Sequence, residues 1–480
     1  MVPNMDTDNG NCWQPKHTWA SVNREDPPKR SSVDRIADFH EIYSLFDEKT
    51  AREQASRCIQ CAEPSCVEGC PLRNRIPEWM AATAEGRFLD AARLSRSTSN
   101  MPEICSRICP QERLCEGSCV LKGRAEPVTI GAIERFINEY AFKVLGTGVM
   151  PVTPNGMRVA VIGSGPAGIA AADELATLGY AVTVLESQNL PGGLLVNGIP
   201  SFKLENEIVE RRIGMLRHRG VEFRLECALG KDVSMTELLR DYSAVFLGFG
   251  AQQAKPLGIP GEDLPGVLQA LPFLIQKNVP GAWLGLLPID VAAKRVAVLG
   301  GGDTAMDCLR TALRCGASTA FCLYRRDFAN MPGSRKEYAN ALEEGAEFHF
   351  LTNPIAIETN ALGAVARVRC ERMELGAPDA SGRRKPHALP NSEFTVDVDL
   401  VIGAYGFDPV PFPSGSDLSA IQTHPWGGIV VDANQMTSVP GVFAGGDSVR
   451  GPSLVVHAVR DARKAAAGIH RYLGRLAAPR

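Results

Sequence analysis

An α/β fold is predicted: two dinucleotide-binding domains behind a mainly α-helical domain rich in cysteine. Three observations carry that expectation. Eight of the 14 cysteines fall between Cys58 and Cys119, in two crowded runs. A strand–glycine–helix–strand pattern opens at Met157, and a second copy opens at Lys294. At 480 residues the chain exceeds what one hydrophobic core organises, and about three domains are expected.

Composition narrows the function classes. Hydrophobic residues make up 45% and charged residues 22%, as in an ordinary globular protein. The formal net charge of −3 is spread without blocks, so nothing in the sequence grips nucleic acid or an anionic membrane surface. No run of about 18 apolar residues argues for a membrane span. Residues 1–34 read as a polar, proline-rich tail with no apolar signal core, and the cytoplasm is the expected location. Thiols stay reduced there, and clustered cysteines bind metal or do redox chemistry.

The first dinucleotide pattern is "MRVAVIGSGPAGIAAADELATLGYAVTVLES". Gly163 permits a tight turn, Gly165 lets the backbone approach a pyrophosphate, and Gly168 lets helix and strand pack closely. The helix that follows turns unpaired N–H groups and a positive dipole end toward the phosphates. The second strand ends in Glu186, a carboxylate that accepts hydrogen bonds from ribose hydroxyls and repels a 2′-phosphate.

The second pattern, "KRVAVLGGGDTAMDCLRTALRCGASTAFCLYRRD", puts Gly300, Gly302 and Ala305 at the three glycine positions. Its second strand ends in Arg325 and Arg326. Guanidinium groups take a phosphate in bidentate fashion, so this cradle is expected to hold NADPH and the first one FAD. The competing reading makes both arginines solvated strand-end charges.

Two further stretches extend the flavin reading. In "PGVFAGGDSVRG", Asp447 follows a short apolar strand, where two-dinucleotide flavoenzymes bond the ribityl chain. "AVFLGFGAQ" and "DLVIGAYGFDP" read as crossovers between the two domains. The expected layout is a tail (1–34), a helical iron–sulfur domain (35–150), an FAD domain in two segments (151–285 and 406–480) and an NADPH domain inserted between them (286–405). The architecture is that of a disulfide-reductase-like flavoprotein with two Rossmann-like domains.

The eight clustered cysteines match two [4Fe–4S] clusters of four thiolates each. Zinc shares the C-x2-C spacing and is the chief rival. Cys70 is followed by Pro71 and Cys109 by Pro110, as in bacterial iron–sulfur runs. In tandem runs the last cysteine before the proline often ligates the other cluster. The expected sets are therefore Cys58, Cys61, Cys66 with Cys119, and Cys70 with Cys105, Cys109 and Cys115. Cys308 and Cys315 lie seven apart on one helix and are expected to be structural. No cysteine pair follows Glu186, which disfavours a disulfide reductase.

From Arg35 to Tyr472 the chain resembles the small (β) subunits of NADPH-dependent bacterial glutamate synthases. The resemblance rests on "RCIQCAEPSC", "PEICSRICPQERLCEGSC", "VTIGAIERFI", "VIGSGPAGIAAA", "GGLLVNGIPSFKL", "VLGGGDTAMDC", "LYRRD" followed by "NMPGSR", and "VFAGGDSVRGPSLVV". The same module recurs in dihydropyrimidine dehydrogenases and NADPH–ferredoxin oxidoreductase subunits. The resemblance implies FAD on Gly163, Ser164, Gly165, Pro166, Ala167 and Gly168, with Glu186, Leu194, Lys203, Gly446 and Asp447. It implies NADPH on Gly300, Gly301, Gly302, Asp303 and Thr304, with Arg325, Arg326, Ala404, Tyr405 and Gly406. Asn197 and His457 depart from the family's usual Tyr and Trp.

The implied function is electron input: NADPH reduces FAD, and electrons leave singly through the clusters. No protein acid, base or nucleophile is expected, because the cofactors carry the chemistry. The resemblance implies a large (α) subunit with glutaminase and FMN-containing synthase sites, which makes L-glutamate from L-glutamine and 2-oxoglutarate. The alternatives are an NADPH–ferredoxin oxidoreductase subunit serving another acceptor, or a non-catalytic NADPH-sensing subunit.

Overall fold

The computed structural model describes residues 18–148, 152–279, 288–379, 382–413 and 415–477. The expected boundaries at 150/151 and 285/286, and the first half of the expected tail, lie outside the described residues. The chain divides into two compact units. The smaller takes in residues up to Pro28, Ser44–Arg107 and Gln111–Gly146; the larger takes Lys29–Tyr43, Ile108–Pro110 and the chain from Thr147 on.

The polar opening is not a loose tail throughout, and this corrects the sequence expectation. Helices α1 (Thr18–Ser21) and α2 (Ser32–Ile36) form in it. Arg35 is 1% exposed. Residues 35–43 also group with the larger unit rather than with the helical domain.

The smaller unit is helical, as its cysteine-rich sequence predicts. Its helices are α3 (Glu48–Ser56), α4 (Ser65–Glu68), α5 (Ile76–Ala84), α6 (Phe88–Thr98), α7 (Pro102–Ile108, whose last residue falls to the larger unit) and α8 (Ile130–Leu145). Apolar stripes of α3, α5, α6 and α8 meet around Trp79, Met80, Ala91 and Ile133, all fully buried. Five of the clustered cysteines (Cys58, Cys66, Cys70, Cys115 and Cys119) pack against this core.

The larger unit holds two parallel sheets. The first is built from β1 (Arg158–Ile162), α9 (Pro166–Thr177), β2 (Ala181–Leu185), α10 (Leu194–Asn197), α11 (Asn206–His218), β3 (Glu222–Arg224), α12 (Met235–Asp241) and β4 (Ala244–Leu247). A ribbon strand β5 (Gln253–Ala254) then leads to β6 (Val267–Gln269) and α13 (Ala270–Asn278). The second glycine pattern follows as β7 (Arg295–Leu299), α14 (Asp303–Arg314), β8 (Thr319–Tyr324), α15 (Arg335–Glu343) and β9 (Glu347–Phe350). An antiparallel insertion of β10 (Thr352–Thr359), β11 (Val365–Pro378), β12 (Arg384–Ala388) and β13 (Phe394–Asp397) precedes β14 (Leu400–Gly403). The chain returns through β15 (Phe407–Asp408) to β16 (Val442–Ala444), α16 (Asp447–Arg450) and α17 (Val455–Ala477).

The first sheet runs β16-β4-β1-β2-β3 and the second β6-β14-β7-β8-β9. Every pairing in both is parallel. Strands buried on both faces need continuous apolar runs, and "RVAVI" and "RVAVL" supply them. Because β6 pairs with β14, the second lobe begins before β6 and not at 286. The glycine pattern marks the central strand of a sheet, and an earlier edge strand leaves no such mark. Among the described residues, only the two-residue ribbon β5–β15 carries a ladder along the crossings between lobes.

Candidate functional site

Each cradle sits where a central strand turns into a helix. In the first, Gly163 takes φ +92° to turn out of β1, and an added Cβ at Gly168 would run into the Gly163 carbonyl. An added Cβ at Gly165 would meet nothing, so the space before the N-terminus of α9 is open on this side. Two other segments close in on it. An added Cβ at Gly193 would lie 2.8 Å from Gly165 Cα, and one at Gly446 would lie 2.9 Å from Ala167 Cβ. Leu194 opens the short helix behind Gly193.

Glu186 is buried, and its carboxylate is shared among four donors. Oε2 accepts from Ser164 N at 2.8 Å and Ser164 Oγ at 2.6 Å. Oε1 accepts from Gln188 N at 2.9 Å and Ser187 Oγ at 3.1 Å. Two of these donors are rotatable hydroxyls, which a ribose can replace without leaving a buried N–H unpaired. Asp447 accepts from the Ser453 backbone N–H, and burial pushes its carboxyl up to about 7. His457 meets Ser453 Oγ through Nδ1 at 2.7 Å, so this departure from the family pattern stands one residue from the Asp447 contact. Asn197, the other departure, accepts through its backbone carbonyl from Asn278 Nδ2 at 3.0 Å.

Lys203 has partners other than those expected. Its Nζ lies 2.8 Å from Asp307 Oδ1 and 3.7 Å from Glu337 Oε2, deep between the two lobes. Burial works against its charge, yet Asp307 and Glu337 hold its pKa above the ordinary lysine range.

In the second cradle Gly300 takes φ +136°, with Ala404 packed against it. Asp303 Oδ1 accepts from Ser334 N at 2.8 Å, and Gly333 N donates to Gly301 O at 3.0 Å. The "MPGSR" loop thus closes over the glycines. The space at Gly302 is open, as at Gly165, and Thr304 stands in the first turn of α14. Tyr405 and Gly406 continue the crossover after Ala404, with Tyr405 39% exposed.

The two arginines separate. Arg325 is exposed. Arg326 is 5% exposed, donating to Asp379 Oδ2 at 2.7 Å and to Arg384 O at 2.8 Å. The expectation that both grip one phosphate is corrected: Arg326 is committed to the β11–β12 hairpin. Arg335 lies 3.9 Å over the Phe328 ring and donates to Ala329 O at 3.0 Å.

In the smaller unit Cys58, Cys61, Cys66 and Cys119 line one pocket, walled by Ile76, Met80, Leu121 and Ile130. Burial first, then neighbouring thiols, pushes Cys58 up to about 11 and Cys66 up to about 12. Thiols so placed become thiolates when bound cations supply the compensating charge. Gln60 Nε2 lies 3.4 Å from Cys58 Sγ. Cys70 feels Cys105, and Cys115 feels Cys70, so these three form a second group. Cys109 is in a segment that groups with the larger unit.

None of the thirteen described cysteines is joined in a disulfide. No three His, Cys, Asp or Glu side chains among the described residues are drawn closely enough to hold a single metal ion. Zinc requires four ligands about 2.0–2.3 Å from one atom; a cube of four irons accepts thiols spread over a wider span.

Glu134, absent from the residues the sequence singled out, bears by its charge on both Cys70 and Cys115. Its Oε1 accepts from Asn74 Nδ2 at 2.8 Å and Ser95 Oγ at 2.9 Å, and burial pushes it up to about 7. A glutamate at a mid-helix position that faces the core was its available signal.

Two open glycine cradles on parallel sheets, behind a helical unit with a four-thiol pocket, define a pyridine-nucleotide oxidoreductase with an iron–sulfur domain. The pyridine nucleotide-disulphide oxidoreductase family model matches residues 157–462. The model for dihydropyrimidine dehydrogenase domain II, 4Fe-4S cluster, matches residues 35–145. The glutamate synthase [NADPH] small chain of Azospirillum brasilense is 47% identical over 93% of this chain and 94% of its own length. That of Escherichia coli strain K12 is 46% identical over 95% and 98%. The chain belongs to the glutamate synthase small-chain family. AegA of Escherichia coli strain K12, named as an oxidoreductase, is also 46% identical, over 95% of this chain and 70% of its own. FprA of Mycobacterium tuberculosis in complex with NADPH shares the fold, at TM-score 0.57 and 23% identity over 66% of this chain and 85% of that one.

Proposed function

We propose that the chain is the electron-input subunit of a glutamate synthase. It takes NADPH, holds FAD and two [4Fe–4S] clusters, and serves a large subunit that makes L-glutamate from L-glutamine and 2-oxoglutarate. The observation that carries this reading is the presence of both open cradles and the four-thiol pocket in one chain, with family likeness across all of them. When bound, the nicotinamide supplies a hydride, and flavin and clusters release its electrons singly.

The chain's own residues bind, orient and shield. The N-terminus of α9 takes the FAD pyrophosphate, Glu186 the ribose, and Asp447 the ribityl chain. The N-terminus of α14 takes the NADPH pyrophosphate and Arg325 the 2′-phosphate, with Ala404–Gly406 alongside. Cys58, Cys61, Cys66 and Cys119 hold one cluster; Cys70, Cys105, Cys109 and Cys115 hold the other. The glutaminase and FMN-containing synthase sites belong to the partner. No helix among the described residues is long and apolar enough to cross a membrane.

The likeness to AegA favours a second reading, in which a different protein takes the electrons. One experiment separates the two. The isolated chain, assayed with NADPH, reduces ferricyanide but makes no glutamate; adding the large subunit of a glutamate synthase confers glutamine-dependent NADPH oxidation. Glutamate made by the pure chain overturns the division of labour, and no response to any such large subunit favours the other acceptor.

A further inference from the structure

The segment Lys29–Tyr43 lies across both lobes of the larger unit. Toward the second lobe, Arg35 Nη2 donates to Glu343 Oε2 at 2.7 Å, and its Nε stands 3.0 Å from Glu344 Oε1. Tyr43 donates to Asn340 Oδ1 at 3.0 Å, and Arg314 Nε donates to Asp38 O at 3.1 Å. Toward the first lobe, Phe39 lies 6.1 Å from Phe202 between ring centroids. Glu41 N donates to Glu205 Oε1 at 3.2 Å.

Beneath the segment the lobes are tied directly. The guanidinium groups of Arg310 and Arg314 stack on the Phe202 ring at 4.3 and 4.0 Å. Arg310 meets Glu344 with two bonds, at 2.8 and 2.9 Å, and Glu337 at 2.5 Å. Lys203 of the first lobe meets Asp307 of α14. Arg35, Phe202, Arg310 and Glu344 are all at most 4% exposed.

From these contacts we infer that Lys29–Tyr43 is a clasp, with Arg35 and Phe39 as positioning residues that set the NADPH cradle against the flavin cradle. The need for one follows from the crossings. Besides the clasp and the charges below it, the lobes share the Asn278–Asn197 hydrogen bond and the crossings through β5–β15, a ladder of two residue pairs. Such short element-terminal connections absorb backbone rotation and behave as hinges. Transfer between two bound groups demands near-contact alignment, and a small misplacement is costly. The inference rests on the reading that FAD and NADPH fill the two cradles.

The test compares the FAD-loaded full chain with Arg35→Gln, and with Phe39→Ala/Glu205→Gln, which leaves the buried ion pairs intact should Arg35→Gln fail to fold. Three quantities are measured: hydrogen exchange across residues 29–43, NADP⁺ affinity by calorimetry, and the change that NADP⁺ causes in the flavin absorption band. Exchange of the clasp is expected to rise by at least about tenfold. NADP⁺ affinity stays unchanged while the flavin band loses most of its response, and Arg35→Lys restores part of it. Faster exchange with an intact flavin response overturns the clasp and leaves the segment a mere cover, as does unchanged exchange in Phe39→Ala/Glu205→Gln. A wild-type flavin that ignores NADP⁺ overturns the coenzyme reading, and the clasp with it.

Discussion

Arg326 donates to Asp379 Oδ2 at 2.7 Å, and that bond ties one of two adjacent arginines to the β11–β12 hairpin. Arg325, beside it, is exposed at the strand end and has no carboxylate partner among the described residues. β8 ends at Tyr324, and in the bend that follows Arg325 stays in solvent while Arg326 turns to the hairpin.

The arginines therefore differ in what they do when removed. Arg325→Ala loses a charge-assisted bond worth roughly 1.5–3 kcal/mol, which is about one to two orders of magnitude in kcat/KM for NADPH. NADH, which lacks the phosphate, is almost unaffected. Arg326→Ala strands the hairpin partners at a cost of about 1–3 kcal/mol, lowering Tm and leaving coenzyme preference alone. Kinetics with both coenzymes check this; a preference that survives Arg325→Ala moves the phosphate site elsewhere.

Glu344 is 4% exposed and answers Arg310 and Arg314, with Arg35 within 3.0 Å. Glu344→Gln leaves these buried cations without their shared carboxylate. Breaking a buried pair costs about 3–5 kcal/mol. Chemical denaturation should register a loss of that order in the larger unit, with the absorption of the iron–sulfur unit unchanged at low denaturant. A loss below about 1 kcal/mol, the usual scale for exposed pairs, would mean that water reaches this cluster.

Both cradles were legible in the sequence because their determinants are local: strand, turn, helix and acid lie within about thirty residues. What escaped was decided by distant partners. Arg35 finds Glu343 308 residues away, so residues 35–43 read as the start of the helical iron–sulfur domain and not as part of the larger unit. Arg326 finds Asp379 53 residues on, so it read as a phosphate ligand. The second lobe's start was hidden because β6 is defined by pairing to β14 and carries no motif of its own.

Asp447 gives a pH signature. Its folded-state carboxyl is held up to about 7 by burial, against about 3.9 unfolded. Between those values the unfolded chain binds fewer protons than the folded one, so stability falls as pH rises from about 4 to about 7. Asp447→Asn removes that slope. In FAD-free protein, Tm of the variant relative to wild type should be higher at pH 8 than at pH 4. A difference that does not change with pH would mean Asp447 ionises normally in the folded state.

The cysteine pocket makes the last prediction. Cys119 lines the same wall as Cys58, 61 residues before it in the chain, while Cys70 belongs with Cys105 and Cys115. Two complete clusters contain about eight irons. Cys58→Ser and Cys119→Ser should then disturb the same cluster, giving matching paramagnetic resonance spectra after reduction and the same loss of iron. Cys70→Ser should disturb the other cluster, together with Cys115→Ser. The comparison is made on anaerobically purified protein, with iron and acid-labile sulfide measured on each sample. If Cys119→Ser matches Cys115→Ser instead, the two runs each hold their own cluster, and the pocket around Cys58 has another fourth ligand. Stoichiometric zinc without sulfide would exclude clusters altogether.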